Sequence, residues 1–140
     1  MPTTIRHYAT SMNDWGLLIL RLVVGIVFVM HGGQKLFVKG LPGIAGFLAQ
    51  AGIQPAGFWA AALTFGELAA GAALIIGVLT RVAALTLTVT MVVAIIAVLS
   101  SKGFFLPGYE YALTLLAASF ALLLTGPGRW AIDRRLRLEP

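Results

Sequence analysis

Three ionisable residues stand inside stretches apolar enough to cross a bilayer: Arg21, Glu67 and Glu110. His31, Gln34 and Lys35 form a polar cluster at the far end of the first such stretch. Ionisable side chains in hydrocarbon cost free energy, so they pair, bind ligands or carry protons. Arg21, Gly25, Phe28, Gly32 and Lys35 follow one another at helical spacing and share one stripe, with His31 flanking it. The glycines on that stripe allow close approach of a second helix, so the charged face points inward. Glu67 shares a second stripe with Gly71, Leu74 and Arg81 and lies near the middle of its own apolar run. An unpartnered carboxylate there would be very costly. Counting ~1.5 Å per residue from the end carrying the termini, Arg21 lies roughly 9 Å deep, Glu67 roughly 18 Å and His31 roughly 24 Å. A long arginine side chain spans most of the first gap, so Arg21–Glu67 is the expected pair and His31 the runner-up. Arg81, about 21 Å from Glu67 along the helix, is too far. Glu110 opens the fourth apolar run, where Lys35 and His31 are its expected partners.

Each of these positions has a plainer reading. A buried Arg–Glu pair can serve only to fix helix register. Lys35 and Glu110 can snorkel to the interface. A lone His31 is more often a hydrogen-bonded residue than a ligand. Thr86, Thr88 and Thr90 are expected to bond back to their own helix.

The composition excludes several chemistries. There is no cysteine, which removes disulfides, iron–sulfur ligation and thiolate metal sites. His7 falls outside the apolar runs, which leaves His31 alone where a b-type haem between helices would need two ligands. No metal constellation, nucleophile triad or phosphate loop is present, since the Gly-x-x-x-x-Gly runs lack the Lys-Ser/Thr ending. An inverted-repeat transporter would require the chain to oligomerise, so a homo-oligomer stays open.

The elements that must position these groups are helices. The chain has 140 residues, 59% hydrophobic and 11% charged, with mean hydropathy +0.95. Soluble domains carry roughly 25% charged residues. The expectation is an all-α transmembrane four-helix bundle forming a single domain over 1–140, with spans at about 15–33, 57–79, 82–100 and 108–125. Asn13 or Asp14 is the expected N-cap of the first helix. No small-x-small cleavage site follows Val29, so that helix is read as retained. Thr80 and Arg81 form a tight turn after Gly77, Pro107 blocks the third helix, and Gly126-Pro127-Gly128 ends the fourth. Between the first two spans, Pro42 can open a short interfacial helix with Ile44, Phe47 and Leu48 on one side and Gly52 at its end. A re-entrant piece or an ordered loop are the alternatives. Residues 129–140 read as a basic interfacial tail, with Trp130, Ile132, Leu136 and Leu138 set against Arg129, Arg134, Arg135 and Arg137.

The net charge of +5 comes from few residues, most of them at segment ends, with no basic stripe interleaved with aromatics. That points to lipid head groups and away from nucleic acid. Arg6, Arg81, Arg129, Arg134, Arg135 and Arg137 share one side; Lys35, Lys39 and Lys102 share the other. The positive-inside rule then places both termini in the cytoplasm of a prokaryote with an inner membrane.

Nearly the whole chain, from Leu17 to Asp133, resembles the DoxX family of small four-helix membrane proteins of bacteria and archaea. The resemblance rests on an ordered set of motifs: Leu20-Arg21-Leu22-Val23-Val24-Gly25-Ile26-Val27-Phe28, His31-Gly32-Gly33-Gln34-Lys35-Leu36-Phe37, Phe47, Gly52-Ile53, Pro55, Glu67-Leu68-Ala69-Ala70-Gly71, Leu74, Gly77, Thr80-Arg81 and Gly126-Pro127-Gly128-Arg129-Trp130-Ala131-Ile132-Asp133. The family's Glu-x-x-Gly-Gly pattern usually has a second glycine, and here it reads Ala70-Gly71. The resemblance implies an accessory subunit or membrane anchor of a quinone-linked or redox-stress oxidoreductase complex, without stand-alone catalysis. It supports Arg21, Lys35, Glu67 and Arg81 as the polar positions of interest. No cofactor is required, but a quinone head group could hydrogen-bond to Arg21, His31 or Lys35 while Glu67 relays a proton. The competing classes are a small proton-coupled carrier or channel using Glu67, and a structural or assembly protein held together by its polar pair.

Overall fold

The computed structural model describes the backbone of residues 3–105 and 107–137, and the side chains of 12–105 and 107–137. The expectations for the side chains of Arg6 and His7, and for Leu138, lie outside the described residues. Among the described residues, six α-helices follow in order: α1 (Thr3–Gly33), α2 (Gly40–Gln50), α3 (Ala56–Ile76), α4 (Thr80–Ala94), α5 (Glu110–Thr125) and α6 (Ile132–Leu136). The all-α membrane class follows directly. Among the described residues, three continuous helical stretches are long and apolar enough to cross a bilayer: Met12–Gln50, Ala56–Ile76 and Thr80–Lys102. The fourth, α5, is apolar but only 16 residues long.

The first helix departs from expectation at both ends. It runs unbroken through Asn13 and Asp14, so neither caps it; Asp14 Oδ1 instead accepts a hydrogen bond from the Arg129 backbone N–H at 3.2 Å. At its other end the helix passes into a π-helical turn, Gln34–Lys39. Gly40, at φ 70° and ψ 155°, then changes the chain direction into α2. The short helix expected here is present and starts two residues ahead of Pro42. Ile44 and Leu48 are buried as expected, whereas Phe47 is half-exposed. Gly52, at φ 77°, ends the element.

α3 stops at Gly77, whose left-handed conformation (φ 80°) closes the helix with its N–H on the Ala73 carbonyl. α5 ends at Gly126, which has a positive φ (79°) but extended ψ (−164°), with its N–H on the Leu122 carbonyl. Thr86, Thr88 and Thr90 each donate to the carbonyl four residues back, as expected.

The helices pack in a closed ring, α1 on α3, α3 on α4, α4 on α5 and α5 on α1. The α1–α3 contact is the most intimate. A Cβ at Gly25 would fall 2.7 Å from the Gly71 carbonyl oxygen, and one at Gly71 would fall 2.8 Å from the Gly25 oxygen. The two backbones therefore touch, which only glycine permits. The interior holds Val24, Phe28, Leu74, Leu87, Leu115 and Leu122. A separate small cluster of Ile44, Leu48 and Ala60 fixes α2 to the first half of α3. Ile19, Val23, Ile26 and Met30 of α1 and Val82, Leu85, Val89 and Val93 of α4 remain exposed, the apolar surface a bilayer covers.

Candidate functional site

The inward stripe of α1 is found as expected: Arg21, Gly25, Phe28 and Gly32 are buried, and Lys35 is largely so. The partners differ from the expected ones. Glu67, 2% exposed, pairs with Lys35, whose Nζ lies 2.5 Å from Oε1. Arg21 points the other way and donates from Nη1 to the Pro127 carbonyl at 2.9 Å. The reason is the interdigitation of α1 and α3. Gly25 meets Gly71 and Ile75, and Gly32 meets Leu68. One further turn along α1 brings Lys35, not Arg21, to the level of Glu67. Arg21 is carried to the far end of α3, where a Cβ at Gly77 would fall 2.5 Å from its Nη1.

That far end is organised by a residue whose part the sequence reading missed. Asp133 is fully buried and accepts from the Leu79 N–H (2.6 Å), the Thr80 N–H (2.8 Å) and the Thr80 hydroxyl (2.7 Å). Its own N–H donates to the Gly77 carbonyl at 2.9 Å. A carboxylate on the first N–H groups of α4 caps the helix and complements its dipole. The signal in the sequence was a single acid among arginines, five residues after the Gly126-Pro127-Gly128 stop. Gly126 and Pro127 are buried. Arg81 lies against Gly126, where a Cβ would sit 3.1 Å from its Nε, and Gly128 packs near Leu17. These motif residues therefore form a staple that ties the tail to the α3–α4 turn. Trp130 packs on Trp15 with ring centroids 5.3 Å apart and planes tilted by 41°, at the same end of the bundle.

The Lys35–Glu67 pair stands at the edge of a cavity of about 750 Å³ between the π-helical turn, α2, α3 and α4. Its walls are apolar, built from residues such as Phe47, Leu48, Trp59, Leu63, Met91 and Val98. Its polar lining is Lys35, Lys39, Glu67 and Thr90. Glu67 Oε2 is buried and makes no hydrogen bond, although Oε1 is taken by Lys35. A buried polar atom without a partner costs roughly 1–3 kcal/mol, and more for a charged group. A ligand atom that donates to it would recover that cost. The ammonium of Lys35 has further donors for an acceptor on the same ligand.

His31 is exposed on the flank of the stripe that faces α5, its ring 6.0 Å from that of Tyr111, while Glu67 is paired with Lys35 instead. Tyr111 is the neighbour of Glu110, so α1 and α5 do meet at that level, but Lys35 is committed to Glu67. Glu110 itself begins α5, its N–H on the Phe104 carbonyl. Among the described residues, no group of three or more His, Cys, Asp or Glu side chains could hold a metal ion.

The DoxX sequence profile matches residues 16–100, the segment from α1 through α4 that supplies both halves of the ion pair and the cavity walls. The chain belongs to the DoxX family. It is 36% identical over 134 residues to the membrane protein Rv3486 of Mycobacterium tuberculosis, covering 86% of this chain and 80% of that one. It is 33% identical over 118 residues to CatD of Bacillus subtilis, which carries the name of a candidate oxidoreductase, with 84% of each chain covered. No solved structure is significantly similar to it.

Proposed function

We propose that this DoxX protein is a membrane-integral accessory subunit of an oxidoreductase system, and that its cavity holds the head group of a quinone. The observation that carries the reading is the buried Lys35–Glu67 pair at an apolar cavity, with one carboxylate oxygen left open. Membrane-dissolved quinones are two-electron, two-proton carriers with an apolar tail. Lys35 would donate to a ring carbonyl, and Glu67 Oε2 would accept from a ring hydroxyl. Depth supports a compact head group: Glu67 is 11 residues from the start of α3, about 16 Å along the helix axis. A phospholipid head group at the interface would not reach it. The B. subtilis relative's name adds weight to the oxidoreductase association. The positive-charge count supports an extracytoplasmic α2 and cavity mouth, with both termini cytoplasmic.

Purification in a mild detergent, with organic extraction and identification of co-purifying proteins, tests the reading. It predicts recovery of quinone in molar proportion to the protein, together with a redox subunit. Recovery of the protein alone, with neither, would overturn it.

A further inference from the structure

Two π-helical segments meet at one place in this bundle. Gln34–Lys39 supplies Lys35 and Lys39 to the cavity wall, and a second segment, Ile95–Leu99, supplies Val98 and Leu99. Such wide turns are rare and frequently mark functional sites. The wall between the helices is not continuous. α2 packs against α3 and against the first π-helical turn, with no comparable packing on α4. Yet α2 and α4 line the same cavity, through Phe47 on one and Val89 and Val93 on the other. The deep wall is closed, with Leu48 5% and Met91 8% exposed. Phe47, Val89 and Val93 line the cavity too, but are 46%, 53% and 48% exposed. Side chains that line a cavity and remain half exposed stand at its opening. Depth says what the opening faces. Val89 and Val93 lie about 14 and 20 Å along the 23-residue stretch Thr80–Lys102. A hydrocarbon core is about 30 Å thick, so both stand well inside it.

Acyl chains, not water, lie against a protein surface at that depth. We infer that the gap between α2 and α4 opens sideways into the bilayer, and that the site takes a membrane-dissolved amphiphile. Its head group reaches Lys35 and Glu67, and its apolar tail stays in the gap on Phe47, Val89 and Val93. The chemistry fits at both ends. The apolar walls cover a tail as lipid does, and the open Glu67 oxygen and the Lys35 ammonium receive a polar head. A ligand coming from water would have to shed its hydration in an apolar cavity before reaching the pair. One already dissolved in hydrocarbon has done so. Phe47 and Val93, on the two sides of the gap, then set which tails pass. They touch the tail and not the head group.

The inference rests on the quinone reading for the head group, and adds the route and the place of the tail. Its test needs no quinone, so the two can fail separately. The full chain in lipid nanodiscs is irradiated with a phospholipid carrying a diazirine in its acyl chain, and labelled residues are located by peptide mass spectrometry. Leu63 and Met91 on the cavity wall should be labelled, as well as Ile19 and Val23 on the exposed face of α1. Val93→Trp fills the opening from an exposed position and leaves Lys35 and Glu67 in place. It should lower the label at Leu63 and Met91 at least about tenfold relative to Ile19 and Val23, the scale of overpacking by one large side chain. Val89→Trp should do the same from the neighbouring turn, which keeps the test decisive if one variant folds poorly. Undiminished label at Leu63 and Met91 in both folded variants, or label on α1 alone in the wild type, would overturn the inference. So would heavier labelling of the cavity wall by a water-soluble diazirine than by the lipid one. Lipid label inside the cavity of a protein that binds no quinone would uphold the opening and overturn only the quinone reading.

Discussion

Replacing Lys35 by Met removes the cation and keeps most of the side-chain length. The carboxylate it leaves behind is 2% exposed, and one of its oxygens already lacks a partner. After the substitution both oxygens would be unsatisfied. Breaking a buried pair by deleting one member costs about 3–5 kcal/mol, because the remaining charge is uncompensated. Lys35 is 19% exposed, so water reaches part of the pair and the lower end of that range applies. A loss of about 3 kcal/mol is a factor of roughly 100–200 in the folded-to-unfolded ratio. Adding Glu67→Leu to Lys35→Met removes both charges, and a buried pair replaced by apolar groups is often neutral. The double variant should therefore recover most of the stability lost in the single one. Reversible unfolding in mixed micelles, followed by circular dichroism, measures both. If Lys35→Met unfolds within about 0.5 kcal/mol of wild type, like an ordinary surface substitution, the pair is not the buried interaction described here.

Other substitutions probe the frame around the site. Asp133→Ala removes the acceptor for two backbone N–H groups and one hydroxyl at the start of α4, and should cost about 2–4 kcal/mol in the same unfolding measurement, with Asp133→Asn losing less. Gly71→Val would place Cβ 2.8 Å from the Gly25 oxygen and 2.9 Å from the Val29 nitrogen, so α1 and α3 must separate, at about 1–3 kcal/mol or more. Arg21→Met loses the bond to the Pro127 carbonyl and should free the tail, read as faster proteolysis after Arg129 with the rest of the chain intact.

The helices were legible in the sequence because long apolar runs and glycine or proline stops leave little choice of structure. The inward stripe of α1 was legible too, since Gly25 and Gly32 mark where another backbone must approach. The pairing across that contact was not. Depth counted along separate helices cannot supply the register of α1 against α3, which is set by Gly25 meeting Gly71 and Gly32 meeting Leu68. Arg21 was assigned to Glu67 on a straight-line count, when the register gives that place to Lys35. The π-helical turn at Gln34–Lys39 also has no composition signature. Asp133 escaped notice for another reason. Its partners are backbone groups of a turn more than 50 residues away, and backbone donors cannot be read from residue types.

The central claim is that Lys35 and Glu67 bind a ligand as well as each other. The double variant Lys35→Met with Glu67→Leu, folded by the first measurement above, separates the two roles. Equilibrium binding of a short-tailed quinone, followed by quenching of Trp59 at the cavity wall against a Trp59→Phe control, reads the site directly. The account predicts saturable quenching in the wild type and at least about tenfold weaker binding in the double variant, the worth of one lost charge-assisted hydrogen bond. Equal quenching in both proteins, or none in the wild type, would contradict it.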